Sequence, residues 1–463
     1  NSRRIRGYCR VRRYCDGYKA SRKANSWRSV SPRVNQDSRW AKDYRKLFKF
    51  MMKNKTIVLS GDKSISHRAL MVSSISKGVN RITNLCNGRD VASTISCLRL
   101  CGAKIERRAK SYVISTSRLS KPAEPLDCGN SGTTIRLLSG LLAGQGVEAT
   151  LYGDASLMNR PMGRIVDPLS KMGAKIENRD NKIIIKRASI KGGNIDNNTS
   201  SAQVKSSIIL AGLGAKNKTI LNESYDSRDH TERMLNYHSG HSIYANEGRI
   251  LINPSGLNSK DLEIPGDISK ASFLIAYACL LKGASITLKN VSINPYRIGF
   301  IRTLIKMGAD IAIDNKKNKY GEPIGNIHVK YSSRLKNIRV TAQNVRDMID
   351  EIPILAVVAS FSKGVMIIDG ISELKLKESD RVFSITSNLR SMGVDIRESK
   401  ESIMIKGQIN LYNTNIKTFS DHRIAMAFYI ASLLAKRTAK IDDLDCIGIS
   451  FPDFFDKIKE ISL

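Results

Sequence analysis

Apolar segments of helical length recur along the chain roughly every 70 residues, a period typical of repeated supersecondary units. Each segment follows a polar or Gly/Ser-rich start, ends near a glycine or an Ala-Lys pair, and leads into a short β-branched strand. The six segments begin near Ser64, Gly129, Ser200, Asp267, Met348 and Ser420. The repeated order of helix and strand predicts one α/β unit used six times. Because each apolar segment is apolar on nearly every side, the first helix of each unit is predicted to be buried.

A second, amphipathic helix is predicted after the strand in every unit except the last. It ends at a glycine that precedes another strand, a position where glycine readily adopts the left-handed conformation that closes helices. These glycines are Gly102, Gly173, Gly308 and Gly393, with a degraded version of the pattern at Gly240. Each unit is therefore predicted to be a module of the βαβαβ type.

A longer period divides the six units into two groups. Gly61-Asp62 opens the first unit and Gly266-Asp267 opens the fourth. Because glycine tolerates the backbone angles of a hinge, we expect the chain to cross between two three-unit domains at these dipeptides. The predicted N-terminal domain covers residues 62–265, and the C-terminal domain combines residues 53–61 with residues 266–463.

Composition narrows the class of protein. The chain has 41% hydrophobic and 25% charged residues, as globular proteins do. It contains no run of about 20 apolar residues, so no membrane span is expected. The eight cysteines match the spacing of neither a zinc site nor a disulfide framework. We therefore expect no metal and a reducing, cytoplasmic compartment.

The formal net charge of +34 is unevenly distributed. The first fifty residues contain 16 Lys and Arg, 3 Asp and no Glu, together with both tryptophans, Trp27 and Trp40. Residues 1–52 are therefore predicted to be a basic N-terminal extension, disordered or non-native. Three interpretations are open: a non-native or upstream-translated segment, an organellar transit peptide, or a nucleic-acid-binding arm.

Polar residues, several of them cationic, crowd the starts of the predicted helices. At the first helices they are Lys63, Ser64, Arg68, Asn130, Ser131, Gly132, Thr133, Ser201, Gln203, Asp350, Glu351, Asp421, His422 and Arg423. At the second helices they are Arg89, Asp90, Arg160, Pro161, Ser227, Arg228 and residues 377–381. Ordinary N-capping would explain one such start. Cations at the same end of several units favour a site for phosphates and carboxylates, because helix N-termini also attract anions.

Two acids, Asp350 and Glu378, stand within this cationic set. A carboxylate among cations is suited to proton transfer, and we expect burial beside a neighbouring acid to raise its pKa towards neutrality. A helix cap or a salt-bridge partner is the alternative for each of them. The chain contains no Walker loop, GxGxxG or HExxH motif.

From Lys55 to the C-terminus, eight motifs in order resemble the 5-enolpyruvylshikimate-3-phosphate synthase family, also called 3-phosphoshikimate 1-carboxyvinyltransferases. They are GDKSISHR (61–68), GNSGTTIRLL (129–138), NRPMG (159–163), SSAQVKS (200–206), SRDHTE (227–232), MIDEIP (348–353), LKESDR (376–381) and SDHRIAMA (420–427). The resemblance implies an α/β fold, the two-domain inside-out α/β barrel of six βαβαββ-type repeats. It also implies transfer of the enolpyruvyl group of phosphoenolpyruvate to the 5-hydroxyl of shikimate 3-phosphate, by addition and elimination, without metal or organic cofactor.

The same resemblance implies roles for residues at the motif positions. Shikimate 3-phosphate is expected to contact Lys63, Ser64, Arg68, Ser200, Ser201, Gln203, Arg228, Asp350 and Lys377. Phosphoenolpyruvate is expected to contact Lys63, Asn130, Gly132, Thr133, Arg160, Gln203, Glu378, Arg381 and Arg423. Asp350 is expected to be the base for the 5-hydroxyl. Glu378 is expected to donate a proton to the phosphoenolpyruvate methylene, assisted by Lys63.

Several positions bear on how closely the chain follows the family pattern. Ile449 stands where some members have a lysine that contacts phosphoenolpyruvate, and Lys270 replaces a residue that is often small. Members that tolerate the herbicide glyphosate can carry alanine at the position of Gly132. Because this chain has glycine there, the resemblance implies sensitivity to glyphosate.

Two other functions are alternatives. The sister family, the UDP-N-acetylglucosamine enolpyruvyl transferases, has six units too, but it uses a loop cysteine with no evident counterpart here. A nucleic-acid-binding protein would account for the charge of +34, but aromatic residues, which stack on bases, make up only 6% of the chain. The expected partners are therefore the two small-molecule substrates, with no nucleic acid and no membrane, and the expected state is a monomer.

Overall fold

The computed structural model describes residues 54–462 except 116–117, 241, 408–411, 413 and 436–438. The predicted extension, residues 1–52, lies outside the described residues, together with Trp27 and Trp40. Among the helices of the described part, none is long and apolar enough to cross a membrane.

The first three units follow one short strand that precedes them. Their elements are β1 (Lys55–Val58), α1 (Lys63–Ser73), β2 (Ser76–Lys77), β3 (Val79–Thr83), α2 (Arg89–Leu100), β4 (Lys104–Arg108), β5 (Ser111–Ser115), β6 (Leu126–Asp127), α3 (Gly132–Gly144), β7 (Ala149–Tyr152), α4 (Ala155–Met158), α5 (Gly163–Lys171), β8 (Lys175–Arg179), β9 (Lys182–Lys186), β10 (Gly193–Asn197), α6 (Ala202–Leu213), β11 (Thr219–Glu223), α7 (His230–Ser239), β12 (Ile243–Asn246), β13 (Arg249–Ile252), β14 (Leu257–Asn258) and β15 (Leu262–Glu263).

The remaining units add three short 3₁₀ helices, Ile349–Glu351, Ser372–Leu376 and Asp445–Ile449. The other elements are α8 (Ile268–Leu280), β16 (Ser285–Ser292), α9 (Gly299–Lys306), β17 (Asp310–Lys319), β18 (Glu322–Lys330), β19 (Arg339–Val340), α10 (Ala342–Arg346), α11 (Ile352–Phe361), β20 (Val365–Asp369), α12 (Arg381–Ser391), β21 (Ile396–Glu398), β22 (Ser402–Lys406), β23 (Asn415–Ile416), α13 (His422–Leu434), β24 (Lys440–Ile441) and α14 (Phe454–Ser462).

Five four-stranded sheets share one topology. In each, the first two strands of the sheet run parallel, and the second and third pairs of neighbouring strands are antiparallel. Their strand orders are β15-β3-β5-β4, β6-β7-β9-β8, β10-β11-β13-β12, β1-β16-β18-β17 and β19-β20-β22-β21. The parallel pair β23-β24 repeats the first step of this topology in the sixth unit. The prediction of one α/β unit used six times is confirmed.

The last unit differs from its prediction, because it does have a second helix, α14. That helix buries Phe454, Ile458 and Ile461, and the Phe454 ring meets the edge of Phe273 at 6.3 Å between centroids. Its apolar pattern covers only nine residues, too few for the periodicity to stand out in the sequence. The stop at Gly240, by contrast, shares the positive φ of Gly102, with values of 84° and 88°.

Buried apolar residues form two separate cores. One contains Ile57 and Leu59 together with residues from 268 to 461, and the other lies between Ile65 and Ile264. Strand β1 completes the sheet of the fourth unit, pairing Lys55 with Ile286, whereas β15 completes the sheet of the first. We propose that these cores are the two domains and that the chain passes between them twice.

The two crossings lie side by side. Gly61 and Gly266 form an antiparallel bridge, and the Asp62 amide donates to the Pro265 carbonyl at 2.8 Å. A methyl group on Gly61 would lie 1.9 Å from the carbonyl oxygen of Asn84, which is far inside van der Waals contact. The first crossing therefore needs a residue without a side chain.

We expect Gly61→Ala to lower the free energy of unfolding by about 1 to 3 kcal/mol, the usual effect of forcing a group into a packed site. Urea titration of the variant and the parent would measure the difference. Gly256→Ala is the matched control, because nothing lies within 4 Å of the added methyl group there. Equal unfolding midpoints for the Gly61 variant and the parent would contradict this account of the crossing.

Candidate active site

A cavity of about 180 Å³ lies between the two cores and is lined by residues of both. It brings together every predicted site residue except two, Arg68 and Arg381. The predicted residues that line it are Lys63, Ser64, Asn130, Gly132, Thr133, Arg160, Ser200, Ser201, Gln203, Arg228, Asp350, Lys377, Glu378 and Arg423. A wider cavity of about 990 Å³ beside β11, β12 and β13 contains none of them.

The cavity is lined by helix starts because the buried helices point their N-termini at it. Side-chain oxygens cap three of these helices: Asp62 accepts from the Ile65 amide, Ser131 from the Thr134 amide, and Ser201 from the Val204 amide. Each cap satisfies one backbone donor and leaves others of the first turn free for an anion. Local sequence therefore places the polar groups, and burial of the apolar helices brings their ends together.

Asp350 lies in the 3₁₀ turn before α11, among three arginines. Its Oδ2 is 2.8 Å from Arg228 Nη2 and 3.8 Å from Arg423 Nη2, and its Oδ1 is 3.4 Å from Arg381 Nη1. Burial opposes ionisation of this carboxyl, but Arg423, Arg228 and other nearby cations outweigh it and hold its pKa well below the usual range. Asp350 is therefore ionised and paired with arginines of the protein itself.

Glu378, which also lines the cavity, is paired in the same way. Its Oε2 accepts from Arg381 Nη2 at 2.6 Å, and its Oε1 is 3.9 Å from Arg160 Nη1. Burial opposes ionisation here too, but Arg381 and Arg160 hold the pKa of Glu378 well below its usual range. The expectation that burial raises the pKa of these two carboxyls is therefore wrong, because the arginines outweigh desolvation.

Lys63 is the first residue of α1 and contacts a carboxylate that was not in the predicted site. Its Nζ is 2.7 Å from Asp90 Oδ2. Burial disfavours its charge, but Asp90 offsets this and raises the pKa of the ammonium group. Asp90 is one of the polar residues that the sequence places at the second helix starts, so it could be recognised as a candidate site residue. Only the fold shows that its partner is Lys63.

Arg68 and Arg381 do not line the cavity. Arg68 donates from Nε to Thr231 Oγ1 and from Nη2 to Ser206 Oγ, both at 2.7 Å, and its Nη1 holds the Ser64 carbonyl at 2.9 Å. Arg381 is fully buried and donates from Nε to Asp421 Oδ2 at 2.8 Å. These two residues support neighbours that do line the cavity, and their substrate contacts stay predictions.

Arg136, Arg164 and Glu373 also line the cavity and are among the residues that the sequence reasoning missed. Arg136 Nη1 donates to Gln203 Oε1 at 2.5 Å, and burial together with Arg160 and Arg164 lowers its pKa to about 10. Arg164, on α5, donates to both oxygens of Glu373 at 3.0 and 3.1 Å, so a forked ion pair spans the two cores. Arg136 follows Gly132 by one helical turn, and that spacing was the available signal.

Six α/β units in two groups, with a cation-lined cleft between them, define the enolpyruvyl transferase class. A solved structure of this class, the enolpyruvyl transferase NikO from Streptomyces tendae, is similar with a TM-score of 0.73. The likeness covers 89% of this chain and 96% of NikO at 16% sequence identity, and so shows a common fold.

Sequence comparison identifies the branch of the class. Residues 52–458 match the family model for EPSP synthase (3-phosphoshikimate 1-carboxyvinyltransferase), and the chain belongs to that family. A 3-phosphoshikimate 1-carboxyvinyltransferase of Alkaliphilus metalliredigens is 43% identical over 88% of this chain and 96% of the relative. The one from Thermodesulfovibrio yellowstonii is 44% identical over 85% and 94%. The EPSP synthase structure from Acinetobacter baumannii has a TM-score of 0.79 at 36% identity, covering 88% and 95%. The family predicted from the motifs is confirmed.

We expect the Arg164–Glu373 pair, which spans the two cores, to contribute only modestly to the free energy of unfolding. Both side chains are partly exposed, and exposed pairs typically contribute about 0.2 to 1 kcal/mol. A double-mutant cycle with Arg164→Gln, Glu373→Gln and the combined variant would isolate this term from urea unfolding free energies. Strictly additive effects of the two single substitutions would show that the pair contributes nothing.

Proposed function

We propose that this chain transfers the enolpyruvyl group of phosphoenolpyruvate to the 5-hydroxyl of shikimate 3-phosphate and releases phosphate. The observation that carries the proposal is the cleft, where Lys63, Arg160, Arg228 and Arg423 converge around the ionised carboxylates of Asp350 and Glu378. Each substrate bears a phosphate and a carboxylate, so four anionic groups need cations. A cavity of about 180 Å³ suits small molecules and is too small for a nucleic-acid strand.

The two substrates divide the cleft between them in this proposal. Shikimate 3-phosphate lies against the start of α6 and the neighbouring turn, with the hydroxyls of Ser200 and Ser201 and the guanidinium of Arg228. Phosphoenolpyruvate lies at the start of α3, where Arg160 Nη2 donates to Asn130 Oδ1 at 2.5 Å and so faces the glycine-containing turn. Gln203 stands between the two, since its Nε2 donates to Thr133 Oγ1 at 3.0 Å.

The reaction begins with addition. Asp350 accepts the proton of the 5-hydroxyl while the hydroxyl oxygen bonds to C2 of phosphoenolpyruvate. Glu378 delivers a proton to the C3 methylene with the help of Lys63. In the elimination that follows, the bond between C2 and the phosphate oxygen breaks, the ionised Glu378 takes a proton back from C3, and the leaving phosphate carries away the proton that Asp350 accepted. The arginines and Lys63 stabilise the anionic charges throughout, in fixed positions within a closed cleft.

Substrate binding also prepares the two carboxyls for these roles. Arg381 and Arg160 hold the pKa of Glu378 well below its usual range and so oppose its protonation. When the anionic groups of phosphoenolpyruvate pair with Arg160, the positive charge acting on Glu378 is offset and its pKa rises. Pairing of Arg228 with shikimate 3-phosphate likewise releases Asp350, which becomes a stronger base. Ion pairs within the protein are thus exchanged for pairs with the substrates.

The decisive experiment measures phosphate release from phosphoenolpyruvate with each of two acceptors. We expect release with shikimate 3-phosphate and none with UDP-N-acetylglucosamine, the acceptor of the sister family. The reverse preference, or no release with either acceptor, would overturn the proposal. Cytoplasmic location and a monomeric state belong to the same proposal, and size-exclusion chromatography with light scattering tests the second.

Glu378→Gln is expected to lower kcat by about 100- to 10,000-fold, the usual contribution of a positioned proton donor. The dissociation constant for shikimate 3-phosphate should change little, because the proton is needed only in the transition state. Steady-state kinetics measures kcat, and calorimetric titration measures the dissociation constant. Glu460→Gln, in a surface pair with Lys457, is the control. A near-normal kcat for the Glu378 variant would show that another group donates the proton.

Gly132→Ala is expected to raise the KM for phosphoenolpyruvate, and to raise the inhibition constant of glyphosate more strongly. The added methyl group would lie 3.2 Å from Arg160 Nη1 and 3.8 Å from Gln203 Oε1, so the guanidinium must shift. Inhibition curves for the parent and the variant at several phosphoenolpyruvate concentrations measure both constants. Unchanged turnover of the parent chain at high glyphosate would contradict the expected sensitivity.

A further inference from the structure

Two buried carboxylates mark the points where the chain crosses between the cores. Asp62 is fully buried and Asp267 is 4% exposed. Asp267 Oδ1 accepts from the Ser269 amide at 2.7 Å, which caps α8, and its Oδ2 accepts from the Lys63 amide at 2.9 Å, which begins α1. One carboxylate therefore joins the N-termini of the first helices of both cores, and Lys63 is bound directly to the second crossing.

A buried arginine, Arg297, lies against both of these carboxylates. It is 2% exposed, with Nη1 3.5 Å from Asp62 Oδ2 and Nη2 4.0 Å from Asp267 Oδ1. Burial disfavours its charge, but the surrounding acids, Asp62 first and then Glu351, offset this and hold its pKa above the ordinary value. A second buried cation, Lys270, also acts on Asp267 and donates to Ser60 Oγ at 2.7 Å.

Arg297 also reaches the turn that carries Asp350. Its Nη2 donates to Ser269 Oγ at 2.8 Å, and that hydroxyl donates in turn to Glu351 Oε1. Glu351 is 1% exposed, follows Asp350 directly, and has its Oε1 3.9 Å from Arg423 Nη1. A path of polar contacts therefore runs from Arg297 through Ser269 and Glu351 to Arg423. Glu351 also connects this path to Asp350, the proposed base, which directly precedes it in the chain.

A third branch links Arg297 to the contact between the cores. Its Nη1 lies 3.3 Å from Nε2 of His230 on α7, and His230 Nδ1 lies 2.7 Å from Glu322 Oε1 on β18. Because Arg297 can only donate, the imidazole fits as the tautomer that accepts at Nε2 and donates from Nδ1 to Glu322. His230 belongs to the first core and Glu322 to the second, so this branch also spans the two.

We propose that Arg297 is a positioning residue for the transfer reaction, which holds Lys63 of one core in register with Asp350 and Arg423 of the other. It acts on Lys63 through Asp62 and Asp267, and on the base turn through Ser269 and Glu351. This inference rests on the function proposed above. Neither the motifs nor the predicted site includes Arg297, although the side chain lines the cleft.

The forked shape of the guanidinium is part of the argument. Nη1 faces Asp62 and His230 while Nη2 faces Ser269 and Asp267, so the two ends of one planar group serve different branches. A lysine at this position would keep the charge but would reach only one branch at a time. Charge alone therefore cannot replace the arginine.

The test uses the full chain and three variants: Arg297→Lys, Arg297→Met, and Arg297→Met combined with Glu351→Gln. We expect kcat to fall about 100-fold in the lysine and methionine variants, the loss that a misplacement of about 1 Å produces. The calorimetric dissociation constant for shikimate 3-phosphate should stay within about threefold, because its contacts lie mainly on the first core. Arg339→Lys, in an exposed pair with Asp369, is the control and should keep the parent kcat.

The combined variant separates positioning from bulk stability. Without Arg297, the buried Glu351 keeps Arg423, 3.9 Å away, but loses one of the cations that compensate it. Its less compensated charge next to Asp350 then displaces the base turn. Replacing Glu351 with neutral glutamine should restore kcat about tenfold over Arg297→Met alone, since the displaced turn can return. If the methionine variant does not fold, the lysine variant, which retains the charge, carries the test alone.

Parent-like kcat in Arg297→Lys, or loss of shikimate 3-phosphate affinity in step with kcat and no recovery in the combined variant, would overturn this inference. An inactive parent chain would instead overturn the proposed function, so the two failures are distinguishable.

Discussion

Cations that line a buried cleft need negative partners before any substrate arrives, because an unpaired buried charge is strongly destabilising. The cleft meets this requirement with its own carboxylates. Asp350 pairs with Arg228 at 2.8 Å, Asp90 with Lys63 at 2.7 Å, and Glu378 with Arg381 at 2.6 Å. Asp350 and Glu378, the acids proposed for the chemistry, are therefore also acids that stabilise the cation-rich fold.

The same requirement explains why the two crossings are so heavily charged. The cleft works only if helix starts from separate cores face each other at fixed distances, and the crossings are the covalent connections that set this spacing. Gly61 allows the close backbone approach, and Asp267 ties the beginnings of α1 and α8 together. Arg297 compensates the carboxylates of Asp62 and Asp267 at these crossings. The crossings and the proposed site therefore share one network of charged groups.

Local pattern was sufficient for the fold but only partly for the site. The six apolar helices were predictable because each is encoded within a dozen contiguous residues, and the helix starts at Lys63, Asn130 and Ser201 could be located for the same reason. Asp90, Arg164 and Arg297 could not be assigned, since their partners come from distant parts of the chain. The pKa direction of Asp350 failed for that reason too: Arg228 lies 122 positions away in sequence, so the reasoning counted desolvation and omitted the cations that outweigh it.

The charge pairs within the cleft connect the stability of the fold with the proposed reactivity. With their pKa values depressed, Asp350 and Glu378 bind fewer protons in the folded chain than in the unfolded chain. They therefore stabilise the fold above the unfolded carboxyl pKa of about 4, and this contribution is lost as the pH falls through the depressed folded values. In the proposed reaction, anionic substrates would pair with the same arginines and weaken their hold on the two carboxylates. The pKa of each carboxyl would then rise, so part of the free energy of substrate binding would be converted into proton affinity at the two groups proposed to move protons.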